Sequence, residues 1–185
     1  MPALSLEGER LFLRPPAPED WAQWAQVRGR NREFLKAYEP TWPEDCLSRG
    51  FFERRLQKQA QDWQQGAAHS FLIFKKSGED LIGGVNINNV CRGAAQYATL
   101  GYWLDEKEQG QGYMAEALRL VIAYGFTDLR LHRFNAGCLP DNERSVKLLK
   151  KIGFVEEGFA EKFVQINGQW QDHRLFGLPI ENWES

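Results

Sequence analysis

The sequence predicts an α+β protein whose central sheet is mixed, mostly antiparallel and flanked by helices. Three strand-like runs, at 69–75, 81–90 and 95–104, follow one another at short intervals, which favours antiparallel neighbours. After this block the hydrophobic period changes to that of helices alternating with strands. The chain then ends in two strands joined by Asn167-Gly168, a strong signal for a type I′ hairpin. Such a combination of elements is typical of α+β folds.

The N-terminal third is predicted to contain one strand and two amphipathic helices. Residues 4–13 alternate between apolar and polar, as in a half-buried strand, and a proline-rich stretch ends it. Trp21 and Trp24 lie on one face of the helix that follows. A second helix covers about 47–64. Between the helices, residues 29–46 are irregular and rich in aromatics, which either pack against the core or line a substrate entrance.

The C-terminal half alternates between helix and strand. The predicted elements are a helix at 114–126, a strand at 133–138, a helix at 144–152 and strands at 159–166 and 169–178.

Composition narrows the classes of protein that this chain belongs to. Its 185 residues predict a single domain over 1–185, and a net charge of −2 argues against nucleic-acid binding. An N-terminus without an apolar signal core and the absence of any 18-residue apolar run predict a cytoplasmic protein without a membrane partner. Cys46, Cys91 and Cys138 are scattered and lack metal-ligand spacing, so neither a metal site nor disulfides are expected.

The most informative stretch is residues 101–114, where a strand ends in an acidic turn and a loop with Gly110 and Gly112 leads directly into a helix. Glycines let the backbone approach a ligand closely, and free N–H groups at a helix start attract phosphate. The loop therefore predicts a site for a diphosphate-containing cofactor. A glycine turn without a ligand remains the alternative.

A dinucleotide site also has to be weighed, because Gly110-x-Gly112-x-x-Ala115 satisfies that fingerprint. In a Rossmann fold the motif follows the first strand of a parallel sheet, and an acidic residue follows the second strand. Here about 100 residues with hairpin-like strands precede the loop, and Asp128 ends a helix. A Walker motif is absent. The context argues against both nucleotide folds.

A second motif identifies the cofactor through a resemblance. Asn142, Ser145 and Leu149 share one face of the helix after the next strand. Together with the loop, this resembles the GNAT superfamily of N-acetyltransferases and, over residues 4–183, its RimJ/RimL type. The matching motifs are Gln109-x-x-Gly112-x-Met114, Arg10-Leu-x-Leu-Arg14, Leu-Ile-Gly-Gly at 81–84, Gly101-Tyr-Trp-Leu, Gly153-Phe-x-x-Glu157-Gly158 and Asn167-Gly-Gln-Trp-x-Asp-His173. Met114 departs from the family's usual glycine or alanine.

The resemblance implies that acetyl-CoA is the co-substrate and that the sheet splays apart to admit it. Backbone groups of Tyr102, Trp103 and Leu104 would hold the pantetheine arm, and Asn142 would contact it. The loop would bind the diphosphate through its backbone N–H groups. Its residues are Gln109, Gly110, Gln111, Gly112, Tyr113 and Met114.

The same resemblance implies catalytic roles and also shows two departures. Leu149 stands where many members carry a tyrosine acid, so Ser145 is expected to protonate the departing thiolate. Val164 stands where RimL-like enzymes carry a glutamate base. Asn135 is a candidate to hold an attacking amine or water. The base itself stays open among nearby titratable residues, which are Glu161, Asp172 and His173.

The function implied is acetyl-CoA-dependent N-acetylation of the N-terminal α-amino group of a protein such as a ribosomal protein, by direct transfer in a ternary complex. The C-terminal motif favours the alanine-specific members of the branch. Two alternatives stay open: an acetyltransferase for small amines, such as a polyamine, an amino acid or an antibiotic, and a non-catalytic acyl-CoA-binding factor associated with the ribosome. A homodimer is also open.

Overall fold

A computed structural model describes residues 4–183 as one eight-stranded sheet with five helices. The strands are β1 Leu6–Glu7, β2 Leu11–Arg14, β3 His69–Lys75, β4 Leu81–Cys91, β5 Tyr97–Leu104, β6 Arg133–Cys138, β7 Val155–Ile166 and β8 Gln169–Pro179. The helices are α1 Trp21–Arg30, α2 Arg32–Lys36, α3 Arg49–Gln64, α4 Tyr113–Thr127 and α5 Glu143–Ile152.

The sheet has the order β1-β2-β3-β4-β5-β6-β8-β7. Of the seven pairs of neighbouring strands in the described residues, β5–β6 is parallel and the other six are antiparallel. Because α4 connects β5 to β6, this pair forms the crossover that parallel strands require. The β5–β6 ladder ends at Leu100 with Ala136, whereas the β4–β5 ladder continues to Leu104. The sheet therefore splays at this point, and the predicted mixed, mostly antiparallel α+β fold is confirmed.

Alternating residues of β3 divide the core into two layers. Phe71 and Ile73 join the large cluster around α4 and α5, while Leu72 and Phe74 join a smaller cluster with α1 and α3. Side chains of a strand point to opposite faces in turn, so helices cover both faces of the sheet. Helix α4 is the central support, with Leu118 fully buried.

Three differences from the sequence prediction exceed a shift of one or two residues at an element end. The predicted strand at 4–13 is two short strands, β1 and β2, paired as a tight hairpin with Leu6 opposite Leu13. The irregular segment 29–46 contains α2, and β7 begins four residues before the predicted 159. Most of β7 is exposed, so the burial period that marks a strand is missing there.

The predicted hairpin turn is formed as expected. Asn167 and Gly168 have φ values of 43° and 81°, the pair of left-handed conformations that a type I′ turn requires. Within residues 4–183, no helix combines the length and apolarity needed to cross a bilayer.

Candidate active site

The opening in the sheet lies at the end of β5. Residues 101–104 pair with β4 on one side and have no β6 partner on the other. Main-chain groups on that open side are free to bind an extended ligand in the manner of an added strand. Tyr102, Trp103 and Leu104, the residues predicted for this role, all lie in the unpaired part.

The glycine loop follows at once and ends in the first turn of α4. Gly110 and Gly112 both have positive φ, 76° and 82°, and Gly112 is the residue that precedes the helix. A Cβ built on Gly110 would meet no atom within 4 Å, so there is open space beside the loop at this position. The 15-residue helix α4 directs its free N–H groups toward the loop. The region therefore has the shape and polarity of an anion site.

Side chains brace the loop from outside. The Arg10 guanidinium donates to the Gln111 carbonyl (2.9 Å), pairs with Glu116 (2.9 Å) and lies 4.6 Å from the centre of the Tyr113 ring. The Gln111 side chain donates to the Lys107 carbonyl at 3.3 Å. Arg10 therefore holds the loop in shape through its contacts with Gln111 and Tyr113. The loop motif alone did not reveal this role of Arg10.

Two other loop residues face the protein. The Gln109 side chain accepts from the Arg144 guanidinium of α5, which ties the loop to the next helix across the opening. Met114 is 7% exposed and packs in the core cluster. Its contribution to the loop is apolar packing, which explains why a large residue fits where glycine or alanine is usual.

Asn142 caps the start of α5. Its Oδ1 accepts from the Ser145 amide at 3.1 Å, which uses the oxygen and leaves the side-chain NH2 to donate elsewhere. The cap fixes the first turn of α5 and thereby the direction of the Ser145 side chain.

Ser145 meets a partner that sequence reasoning missed. The Tyr102 side chain lies beside it, on the α5 face of the sheet. Burial raises the pKa of Tyr102 to about 12, and the interaction with the Ser145 side chain opposes that rise. The alternation of β5 was the available signal, because Tyr102 shares the inward face with Leu100. The structure thus brings two hydroxyl groups together at the opening.

Asn135 lies apart from this pair. It is opposite Thr99 in the closed part of the β5–β6 ladder, and its Oδ1 accepts from Arg133 Nε at 2.6 Å. Its neighbours Phe134 and Ala136 face the cluster under α4 and α5, so Asn135 points to the opposite face of the sheet. The structure does not bring it together with Ser145.

A cavity of about 550 Å³ opens beside the β6–α5 connection. Its walls come from the end of α2, the β6–α5 connection and the β7–β8 hairpin; the lining residues are Ala37, Leu139, Pro140, Asp141, Lys162, Ile166, Trp170, Gln171 and Asp172. Asp172 accepts from the Lys162 amide at 2.8 Å. Trp170 is 60% exposed. The cavity is open to solvent.

The three residues considered as bases differ in their surroundings. His173 is buried, and its Nδ1 contacts the Gln171 carbonyl at 3.1 Å, which marks it as a structural residue. Glu161 is exposed on a bulge of β7. Of the three, Asp172 lines the cavity. Among residues 4–183, no cluster of three or more His, Cys, Asp or Glu side chains is arranged to hold a metal ion.

The chain is similar to acetyltransferases of known family. The model of the acetyltransferase (GNAT) domain matches residues 10–155. Over 183 residues the chain is 36% identical to the ribosomal protein uS5-alanine N-acetyltransferase of Escherichia coli (strain K12), covering 99% of this chain and 94% of that relative.

Solved structures agree. The ribosomal-protein-S5-alanine acetyltransferase from Vibrio fischeri has a TM-score of 0.90 at 32% identity, over 98% of this chain and 100% of that one. Mycobacterium smegmatis RimJ in complex with CoA-disulfide has a TM-score of 0.91 at 27% identity, covering 96% of this chain and 88% of that one. With the family model matching most of its length, this chain belongs to the GNAT acetyltransferase family.

Proposed function

We propose that this protein transfers the acetyl group of acetyl-CoA to the N-terminal α-amino group of a protein, with an alanine-starting ribosomal protein as the favoured acceptor. The observation that carries the proposal is the open edge of β5 beside the glycine loop and the start of α4. The E. coli relative is named as a uS5-alanine N-acetyltransferase and the V. fischeri relative as an S5-alanine acetyltransferase, and these names support a ribosomal protein as the acceptor.

The residues present fit acetyl-CoA. Residues 101–104 offer unpaired main chain for an extended arm, and the loop 109–114 offers N–H groups and open space for a diphosphate. We name the β5 end, this loop and α4, residues 101–127, the cofactor wall. Asn142 would donate its side-chain NH2 to the pantetheine arm. When bound, acetyl-CoA supplies an activated thioester.

The acid role is assigned to Ser145, supported by Tyr102. A hydroxyl oxygen can accept a hydrogen bond while its own proton is donated, so Tyr102 can donate to Ser145 Oγ while the Oγ proton is directed at the thiolate. With its pKa raised to about 12 by burial, Tyr102 stays protonated at neutral pH. Ser145 Oγ would give its proton to the departing thiolate and regain one from solvent water, and Tyr102 would hold the serine in position.

A direct transfer needs no nucleophile from the protein, and the thiol closest to the opening is a poor one. Cys138, at the end of β6, is buried, and burial raises its pKa to about 11. It therefore remains a thiol at neutral pH, whereas the thiolate is the reactive form. This supports attack by the amine in a ternary complex.

The demand on a base is small. A protein α-amino group has a pKa near 8, so about a tenth of it is already neutral at pH 7. Asp172, beside the cavity, is the best-placed residue to accept the remaining proton through water. The role of Asn135 stays a prediction, and holding the amine or water from the opposite face of the sheet is compatible with its position.

The cavity could hold the acceptor. Its volume of about 550 Å³ would admit a small amine or the first residues of a polypeptide, and the ribosomal acceptors named for the relatives favour the polypeptide. We name segment 28–42 together with the β7–β8 hairpin the acceptor wall. A ribosomal acceptor would place the protein in the cytoplasm. A homodimer stays a prediction that sedimentation of the purified chain tests.

The deciding experiment measures thiol release from acetyl-CoA with a peptide library that varies the first two residues, alongside a panel of small amines. We expect alanine-starting peptides to give the highest kcat/KM. Turnover confined to small amines would replace the acceptor, and acetyl-CoA binding without turnover would point to a non-catalytic factor. Ser145→Ala should lower kcat with acetyl-CoA affinity nearly intact, and an unchanged kcat would remove Ser145 from the acid role.

A further inference from the structure

A buried carboxylate marks the junction between the β5 end and the glycine loop. Asp105 directly follows β5, is 1% exposed and accepts from both Nε (3.0 Å) and Nη2 of Arg30. It also accepts from Asn31 Nδ2 at 2.9 Å and from the Lys107 amide at 3.3 Å. Its two oxygens therefore join the end of α1 to the turn that leads into the loop.

The contact is reciprocal. Asn31, between α1 and α2, is 2% exposed, and its Oδ1 accepts from the Glu106 amide at 2.9 Å. Its Nδ2 also donates to the Val27 carbonyl at 2.8 Å. One amide side chain thus fixes the end of α1, Asp105 and the following turn simultaneously. The two segments lie about 75 residues apart in sequence.

A second link runs parallel to the first, two residues earlier on β5. The Arg28 guanidinium lies 5.1 Å from the ring centre of Trp103 and 4.4 Å from that of Trp42. It donates to both oxygens of Glu39 at 2.8 and 2.6 Å. The Glu39 carbonyl in turn accepts from the Asn167 amide at 3.0 Å. Segment 28–42 is therefore attached to β5 at one end and to the hairpin turn at the other.

We infer that Asp105 is a positioning residue that holds segment 31–42, and with it the cavity wall at Ala37, in register with the β5 end where the acetyl group is received. The inference rests on the proposed function. Transfer depends on the relative placement of amine and acyl carbon, and displacements of about 1 Å cost roughly a hundredfold in rate. Asp105 acts through Arg30 and Asn31 and touches neither substrate.

The chain supplies a matched structural control. Asp20 is also buried, at 5% exposed, accepts two bonds from Arg14 (2.8 and 2.6 Å) and accepts from the Ala17 amide at 2.7 Å. It lies at the start of α1, away from the opening. Loss of the charge at either position removes a buried ion pair of the same kind, so both substitutions should lower stability comparably.

The test compares Asp105→Asn with Asp20→Asn in the full chain. For each variant, kcat and KM for an alanine-starting peptide are measured, along with acetyl-CoA affinity by calorimetry and amide exchange of residues 31–42 by mass spectrometry. We expect Asp105→Asn to lower kcat/KM for the peptide about tenfold and to speed exchange in 31–42, since the amide keeps the bond from Lys107 but loses that from Arg30. Acetyl-CoA affinity should stay within about threefold of wild type.

Asp20→Asn should change neither the kinetics nor that exchange. Arg30→Lys, which keeps a cation beside Asp105 but loses the two-pronged guanidinium contact, should give a weaker effect in the same direction as Asp105→Asn. It guards against misfolding because it leaves no buried carboxylate without a cation. Equal kinetics and equal exchange in Asp105→Asn and Asp20→Asn would overturn the inference. If wild type acetylates no peptide, the proposed function fails, and the exchange comparison still decides the role of Asp105.

Discussion

The proposed cofactor wall and the proposed acceptor wall are built differently. The cofactor wall is one continuous stretch, residues 101–127, whose candidate binding groups are main-chain atoms at a strand edge, a glycine loop and a helix start. The acceptor wall combines two distant parts of the chain. Segment 28–42 is held together by side chains such as Arg28 and Glu39, and it meets the hairpin through the Asn167 amide, which donates to the Glu39 carbonyl.

This difference has a functional consequence. A wall made of backbone tolerates most side-chain changes, as Met114 shows, and depends on the few residues that set its conformation. A wall made of side-chain contacts changes whenever one of them is replaced. We therefore expect acetyl-CoA binding to be sensitive at glycines and acceptor choice to be sensitive at charged and aromatic residues.

The largest effect is expected at the cofactor wall. Gly112→Val should weaken acetyl-CoA binding about a hundredfold by calorimetry, because a β-branched residue at φ 82° must shift the N–H groups at the helix start. Gly93→Val is the control, since Gly93 has a φ of 74° in open space at the far end of β5. Equal losses in both variants would show that strain alone, and no cradle, is responsible.

Acidification should lower the free energy of unfolding through His69, which packs against helix α4 of the cofactor wall. His69 is 4% exposed, and its ring lies edge-on to Tyr124 of α4. Burial, followed by the charge of Arg92, lowers its pKa to about 4. The unfolded chain takes up this proton near pH 6.5 and the folded chain does not, so stability falls as pH drops from 6.5 to 4, by up to about 3 kcal/mol.

His69→Leu should flatten that part of the profile, measured by urea unfolding at pH 7 and pH 5. Asp105 contributes in a different range. Burial alone raises its pKa, but the bonds from Arg30, Asn31 and the Lys107 amide outweigh burial and hold the pKa below its ordinary value. Its contribution is therefore lost only as pH falls below about 4. If the unfolding free energy changed equally with pH in wild type and in His69→Leu, the role given to His69 would be contradicted.

A smaller effect is expected at the acceptor wall. Glu39→Ala removes two bonds to Arg28 and one to Trp42 (2.7 Å), and Arg28 Nε is already buried without a partner among residues 4–183. We expect a loss of about 2 kcal/mol in unfolding free energy and a raised peptide KM, with acetyl-CoA affinity unchanged. Glu53→Ala, in an exposed pair with Arg49, should cost under about 0.5 kcal/mol. A weakened acetyl-CoA affinity in Glu39→Ala would erase the distinction between the walls.

The smallest effect concerns the cavity. Trp170→Ala should raise the peptide KM about fivefold, since the indole lines the cavity, and should leave the melting temperature nearly unchanged because the side chain is 60% exposed. Phe159→Ala on the same hairpin is the control, being 56% exposed and outside the cavity lining. If Phe159→Ala raises KM equally, the hairpin acts as a whole and the cavity does not.

Much of the fold was predictable because local signals and tertiary structure agree. β3 and β6 have the predicted bounds, and the hairpin at Asn167 has the predicted turn. The elements that were missed or placed wrongly lack a clear hydrophobic period. β7 is exposed along most of its length and lacks a burial period, and α2 is a single short helix inside an aromatic segment.

The sequence by itself indicated the family and the splayed sheet through its resemblance to known members. It also predicted the cofactor loop, because glycines and a helix start act on neighbouring residues. Only the tertiary structure decided that Tyr102 meets Ser145, that Asn135 faces the other side of the sheet and that Asp105 joins α1 to the β5 end. These contacts join segments separated by 40 to 75 residues, and no local pattern encodes which distant side chain completes a buried hydrogen bond.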